Sequence, residues 1–210
     1  MSDLLPIFPL PTVVLFPGVF LPLHIFEPRY REMVADALSS DRLIAMALLR
    51  DGWEGDYEGR PPVFSVGCTG LIAHCESLAD GRYNIVLRGM DRIRIVAEDH
   101  GRAYRRGRTE AVPQPELTAD DRLTLQRQRA ALEALIAHSG PGGGIDPRTA
   151  AALSDEDLIN ALAQYLDLEP IEKQALLEQP STPARGDALI ELLEMKAWLA
   201  RNPAMSPHAH

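Results

Sequence analysis

Residues 15–30, LFPGVFLPLHIFEPRY, set Phe16, Phe20, Phe26 and Tyr30 among prolines 17, 22 and 28. Val19, Phe20, Leu23, Ile25 and Phe26 give this stretch the chemistry of a strand. Pro22 has no amide hydrogen and cannot donate to neighbours on both sides, so the strand is expected at a sheet edge or at a bulge. An edge carries backbone groups in need of partners. An apolar one is either covered by the rest of the protein or offered to a partner chain.

Working outward, LLPIFPL (residues 4–10) reads as a first strand and RLIAMALLR (42–50) as a buried one, since its apolar run is continuous. Between the opening stretch and this strand, Glu27-Pro28 starts a helix of about residues 28–39. Pro28 sits where its missing donor is harmless, and Tyr30, Met33, Val34, Ala37 and Leu38 recur at helical spacing. DGWEGDYEGRPP (51–62) is a loop by its glycine, proline and charge content. VFSVGCTGLIAHCES, LADG and RYNIVLRG then read as strand, turn and strand, with Asp80-Gly81 as the hairpin signal. In DRIRIV, Ile93 and Ile95 alternate with Arg92 and Arg94, which predicts one buried face and one basic, wet face. RAYRRGRTEAVP supplies a last strand before Pro113 and Pro115.

From residue 118 the period becomes helical. Thr118 and Asp121 resemble a capping box, with aspartate in place of glutamate, opening a helix of about twenty residues that ends at SGPGGG (139–144). Ser154, followed by three acidic residues, caps another helix, with Leu158, Leu162, Tyr165 and Leu166 on its apolar face. Pro170 begins PIEKQALLE, and a final helix carries Leu189, Leu192 and Leu193 to about residue 201, before a tail expected to fray. Strands first and helices later predict an α+β protein, with a β-rich part over residues 1–114 and a helical part over 115–210.

The chain of 210 residues carries a net charge of −9. Residues 1–112 hold 13 basic and 15 acidic side chains, and residues 113–210 hold 8 and 15. This acidic balance disfavours non-specific binding of nucleic acid. No apolar run reaches the roughly 20 residues of a membrane helix, and the N-terminus lacks the basic region of a secretory signal, so a cytoplasmic location is expected. Cys68 and Cys75 are then expected as largely buried thiols. Seven residues apart on a regular strand, they would face opposite sides, against a disulfide.

Catalytic constellations are missing from the pattern. There is no Gly-x-Ser-x-Gly elbow, and Lys173 and Lys196 are the only lysines for a serine-lysine dyad. His138-Ser139 reads as a helix end. Cys68, His74 and Cys75 form one irregular cluster where a zinc site needs four ligands, and His208 and His210 lie in the tail, so no metal is expected. GPGGG lacks the lysine and hydroxyl residue of a phosphate loop, and no cofactor is expected. Arg92, Arg94, Arg105 and Arg106, with Arg102 and Arg108, are candidates for a charged docking surface toward an acidic partner, or simply for an exposed strand face.

LPIFPLPTVVLFPGVFLPLHIFEPRY (5–30), DRLIAMALL (41–49), VGCTGLIAHCESLADGRYNIVLRGMDRIRIV (66–96) and LSDEDLINALAQYLDLEPIEKQALLE (153–178) together resemble the amino-terminal, substrate-binding domain of Lon proteases. The resemblance runs over about residues 4–200 with the elements in order. It implies a PUA-like β pseudo-barrel followed by a helical bundle. In that family the domain precedes an ATPase and a serine-lysine protease and is held to recognise substrates; neither module's motifs occur in these 210 residues, so the chain resembles a stand-alone form. The implied role is non-catalytic binding of an unfolded or extended polypeptide, with Phe16, Val19 and Phe20 as apolar anchors unless they are core. Two further classes are an adaptor docking on a partner protein through charged surfaces, and a small-molecule or enzymatic pocket, for which His24, Glu27 and Arg29 are the polar candidates.

Overall fold

The computed structural model describes residues 4–57, 59–138 and 146–202. The chain divides into two compact units, Met1–Pro113 with Glu169–Glu178, and Gln114–Leu168 with Gln179–His210. It is a mixed α+β protein.

The first unit contains β1 (Leu5–Leu10), β2 (Phe20–Ile25), α1 (Pro28–Leu38), β3 (Leu43–Leu48), β4 (Val66–Ser77), β5 (Tyr83–Asp99), β6 (Arg105–Ala111) and α5 (Pro170–Leu177). The sheet runs β2-β5-β4-β3-β1-β6, and β6 also pairs with β5, which closes five strands into a ring. The seventeen-residue β5 makes this closure possible: its first half pairs with β2 while its last residues pair with β6. β1 and β3 pair in parallel, and the other strand pairings among the described residues are antiparallel. Both faces of this pair are covered. Phe8, Ile44 and Met46 join α1 in one apolar cluster, and Ile7, Ala45 and Ala47 join Ile93 in another, which is why RLIAMALLR shows no alternation.

Two turns fix the edge strand. Pro17 and Gly18 occupy the centre of a tight turn closed by the Val19 amide on the Phe16 carbonyl at 3.3 Å, and Gly18 takes φ +77°, as the third position of a type II turn requires. Asp80-Gly81 closes the hairpin between β4 and β5, with Gly81 at φ +81°. The ladder between these strands slips between Ile72 and His74, where two steps on β4 oppose one on β5. That bulge reverses the side-chain parity, so Cys68 and Cys75 pack against the same cluster instead of facing opposite sides. They form no disulfide.

The second unit holds α2 (Ala119–His138), α3 (Pro147–Ala152), α4 (Asp155–Tyr165) and α6 (Thr182–Arg201). Thr118 and Asp121 cap α2 reciprocally: the Thr118 amide donates to the Asp121 carboxylate at 2.9 Å and the Asp121 amide to the Thr118 hydroxyl at 3.1 Å. Ser154 caps α4 through the Asp157 amide. Leu125, Leu132, Leu158, Ile159, Leu162 and Leu189 fill this unit's core. Arg129 fastens α2 to the start of α4, donating to the Asp155 carboxylate and to the Leu153 carbonyl. The six-residue α3 is an addition to the elements expected from periodicity; Asp146 caps it through the Thr149 amide. The SGPGGG segment and the tail histidines lie outside the described residues.

Candidate functional site

The opening stretch divides at Val19. Val14, Leu15 and Phe16 are buried, Phe16 completely, and Val19 is 4% exposed. Phe16 and Val19 are therefore core residues, which corrects the expectation that they are surface anchors. The reason is the turn at Pro17-Gly18, which folds the segment back against β5: the Gly18 amide donates to the Gly89 carbonyl, and the Gly89 amide to the Val19 carbonyl. Gly89 lets the backbones meet, since a Cβ there would lie 2.0 Å from the Phe16 carbonyl oxygen.

Beyond this point the strand alternates. Leu21, Leu23 and Ile25 turn inward, while Phe20, Pro22 and His24 face solvent, with Phe20 50% exposed. Among the described residues, strand β2 has β5 as its one sheet neighbour. The Gly89–Val19 bond sets the phase of that antiparallel ladder, so Leu21, Leu23 and Ile25 direct their backbone toward β5, and Pro22 and His24 direct theirs to the open edge. Pro22 thus lacks a donor where no strand needs one. Phe26, 60% exposed, stacks on His24 with ring centroids 6.2 Å apart. Sequence reading passed over Phe26 as a site residue, although it shares the even-numbered parity of Phe20 and His24.

A polar chain borders these rings. His24 Nδ1 lies 2.8 Å from Asn84 Oδ1, Asn84 Nδ2 donates to Glu76 at 2.8 Å, and Arg82 Nη1 lies 3.2 Å from His24 Nε2. Donation by Arg82 makes Nε2 the acceptor and puts the imidazole hydrogen on Nδ1. Arg82 also donates to Asp80 at 2.6 Å, and that hydrogen bond holds the Asp80 carboxyl below its ordinary pKa. A shallow groove of about 390 Å³ runs along this face, lined by Pro22, His24, His74, Glu76, Asn84 and Val86 among others.

Glu27 and Arg29 come together elsewhere. Glu27 stands at the N-cap position of α1 yet makes no side-chain cap; its carboxylate instead accepts from Arg29 Nε and from the Tyr57 hydroxyl, both at 3.0 Å. Arg29 and Tyr57 line a cavity separate from the groove that His24 lines. Burial raises the Tyr57 pKa, and the bond to Glu27 raises it further.

The four docking arginines have different fates. Arg94 is exposed, but Arg92 is 2% exposed and donates from Nη1 to the Leu177 carbonyl at 3.1 Å. Helix α5 covers the face expected to be wet, and a guanidinium satisfies a carbonyl at the helix's negative end. Arg105, 7% exposed, is held by Glu98 and the Pro61 carbonyl, and half-buried Arg106 by Asp99. Arg92 and Arg105 are thus structural ties, which corrects their assignment to a docking surface. Among the described residues, no three histidine, cysteine, aspartate or glutamate side chains gather as a metal site would require. No described helix is long and apolar enough to cross a membrane.

A closed small sheet with a helix folded against it and a helical second unit define an α+β domain of a recognisable kind. Residues 4–195 match the family model described as the ATP-dependent protease La (LON) substrate-binding domain, and the chain belongs to that family. Its relatives include Lon protease 2 of Syntrophobacter fumaroxidans, 26% identical over 185 residues that make up 88% of this chain and 23% of that protein. The Lon protease of Escherichia coli is 24% identical over 194 residues, 90% of this chain and 24% of that one. The chain therefore spans about a quarter of the length of the curated relatives it matches. Among solved structures, the N-terminal domain of Mycobacterium avium complex Lon protease superposes with a TM-score of 0.65 at 21% identity, over 91% of this chain and 98% of that one. A Lon N-terminal domain protein from Xanthomonas campestris gives 0.58 at 23%, over 93% and 98%. These two establish the fold.

Proposed function

We propose that this domain binds extended polypeptide without breaking bonds in it, by adding a segment of the partner to the open edge of β2. The observation that carries the reading is the combination of an edge strand with two solvent-reached aromatic rings, Phe20 at its start and Phe26 one residue past its end. Backbone pairing gives affinity to any extended segment, and the rings add apolar contact that is tolerant of sequence. The family's description as a substrate-binding domain supports the same class of ligand. The polar chain of His24, Asn84 and Glu76 lies along the groove, where it can accept or donate to side chains of the bound segment.

The test is fluorescence anisotropy of a labelled, permanently unfolded polypeptide titrated with the wild type and with the Phe20→Ser/Phe26→Ser double variant. Losing two half-buried contacts of this size lowers affinity tenfold or more, about 1.4 kcal/mol. A folded double variant with unchanged affinity removes this face from binding. A peptide ligand N-methylated at alternate amides separates the two contributions, since it keeps apolar contact and loses strand pairing.

A further inference from the structure

We propose a second binding site on the first unit, specific for a single carboxylate group, in the cavity at the end of the sheet where β1 and β3 finish and β6 begins. The cavity has a volume of about 140 Å³, and Tyr30, Tyr57, Tyr104, Arg29, Arg60 and Arg105 contribute its polar lining. Among the described residues, no carboxylate side chain lines it.

The three guanidinium groups are not equivalent. Arg29 is paired with Glu27 at 2.9 Å and Arg105 with Glu98 at 2.5 Å. Arg60 is anchored differently, donating from Nη1 to the Asp99 carbonyl at 3.2 Å and from Nη2 to the Arg102 carbonyl at 3.4 Å. Those acceptors are neutral, and among the described residues Arg60 has no ion pair. Two of its five donors are used to hold the group in place, and the rest are available to a ligand. Among the described residues the site is therefore a positioned cation with its charge uncompensated, beside two cations already compensated.

Charge and shape select the ligand. One unpaired guanidinium balances one negative charge, and a planar fork of N–H donors matches a planar carboxylate. A doubly charged phosphate would need a second cation, which Glu27 and Glu98 have already taken. The tyrosine rings shape the cavity, while their hydroxyl hydrogens are already engaged, that of Tyr57 on Glu27 at 3.0 Å and that of Tyr104 on Asp36 at 2.7 Å, so selection of the ligand falls to the Arg60 fork. The volume admits a carboxylate with a few carbon atoms, as at a chain terminus or in a small organic acid. This site shares no lining residue with the groove on β2 and does not rest on the strand-addition reading.

Isothermal titration calorimetry of the whole protein tests it with four probes: N-acetyl-Ala-Ala-Phe with a free carboxyl terminus, the same peptide as its amide, acetate and inorganic phosphate. Binding of the free acid at least tenfold tighter than the amide, reduced at least tenfold by Arg60→Gln and partly restored by Arg60→Lys, supports the proposal. Acetate weaker than the peptide acid identifies a chain terminus as the source; acetate equal to it identifies a free organic acid. Equal affinity for acid and amide, phosphate bound more tightly than either carboxylate, or no heat at millimolar probe overturns it. The acid and amide comparison uses the wild type and so holds even if the variants fold poorly.

Discussion

Residues 14–19 and residues 20–26 are both apolar, both aromatic and both interrupted by proline, yet the first segment is core and the second carries rings into solvent. The difference lies in what each backbone meets. Phe16 and Val19 are folded by the Pro17-Gly18 turn against Gly89, whose missing side chain lets the main chains touch. From Phe20 onward the chain runs straight beside β5, and period-two geometry sends every second side chain outward. Composition alone does not distinguish binding surface from core; position in the ladder does.

The largest expected effect breaks the first segment. Phe16→Ala removes a completely buried ring and should cost about 3–5 kcal/mol in urea unfolding, enough to depopulate many native domains. Gly89→Ala attacks the same contact from the other side, and a loss well below that of Phe16→Ala would show that the two backbones can part without disturbing the core. Next comes Gly18→Ala, which puts a side chain at φ +77° and should cost about 1–2 kcal/mol by the same measurement.

The second segment should behave in the opposite way. Phe20→Ser/Phe26→Ser should change unfolding free energy by about 1 kcal/mol or less, because at least half of each residue is already in water, while lowering polypeptide affinity as described above. A large loss of stability with no loss of binding would erase the contrast between the segments.

The smallest effect is a titration. The hydrogen bond from Arg82 keeps the folded Asp80 pKa below that of the unfolded chain, so the interaction is fully present above the ordinary aspartate range of about 3.9 and is lost as pH falls through the lowered value. The pair is exposed, so the readout is the Arg82 amide resonance, whose midpoint should fall below 3.9 by an amount that Asp80→Asn abolishes. Resonances of the buried Phe16 ring should stay fixed through the same window. Joint movement of the two would mean that the edge face and the core respond as one unit.

Much of this was written locally. Pro22 announced an edge, Asp80-Gly81 a hairpin, Thr118 with Asp121 and Ser154 with Asp157 the starts of α2 and α4, and the unbroken RLIAMALLR a strand covered on both faces. These signals are legible because the groups involved lie within a few residues of one another, so backbone geometry and side-chain chemistry settle them in place. Family membership was legible for a related reason, since the order of many such local features is itself specific.

Tertiary structure decided the rest. Arginine 92 lies on an alternating strand, and only the return of α5 from residues 170–177 makes it a buried tie. Cys68 and Cys75 share a cluster because of a bulge opposite Val86, visible only once the strands are paired. Arg60 became a candidate ligand because its loop lies against the turn after β5, some forty residues away in sequence. In each case the deciding partner is distant along the chain, and the free energy of burying a group depends on what covers it rather than on its neighbours in sequence.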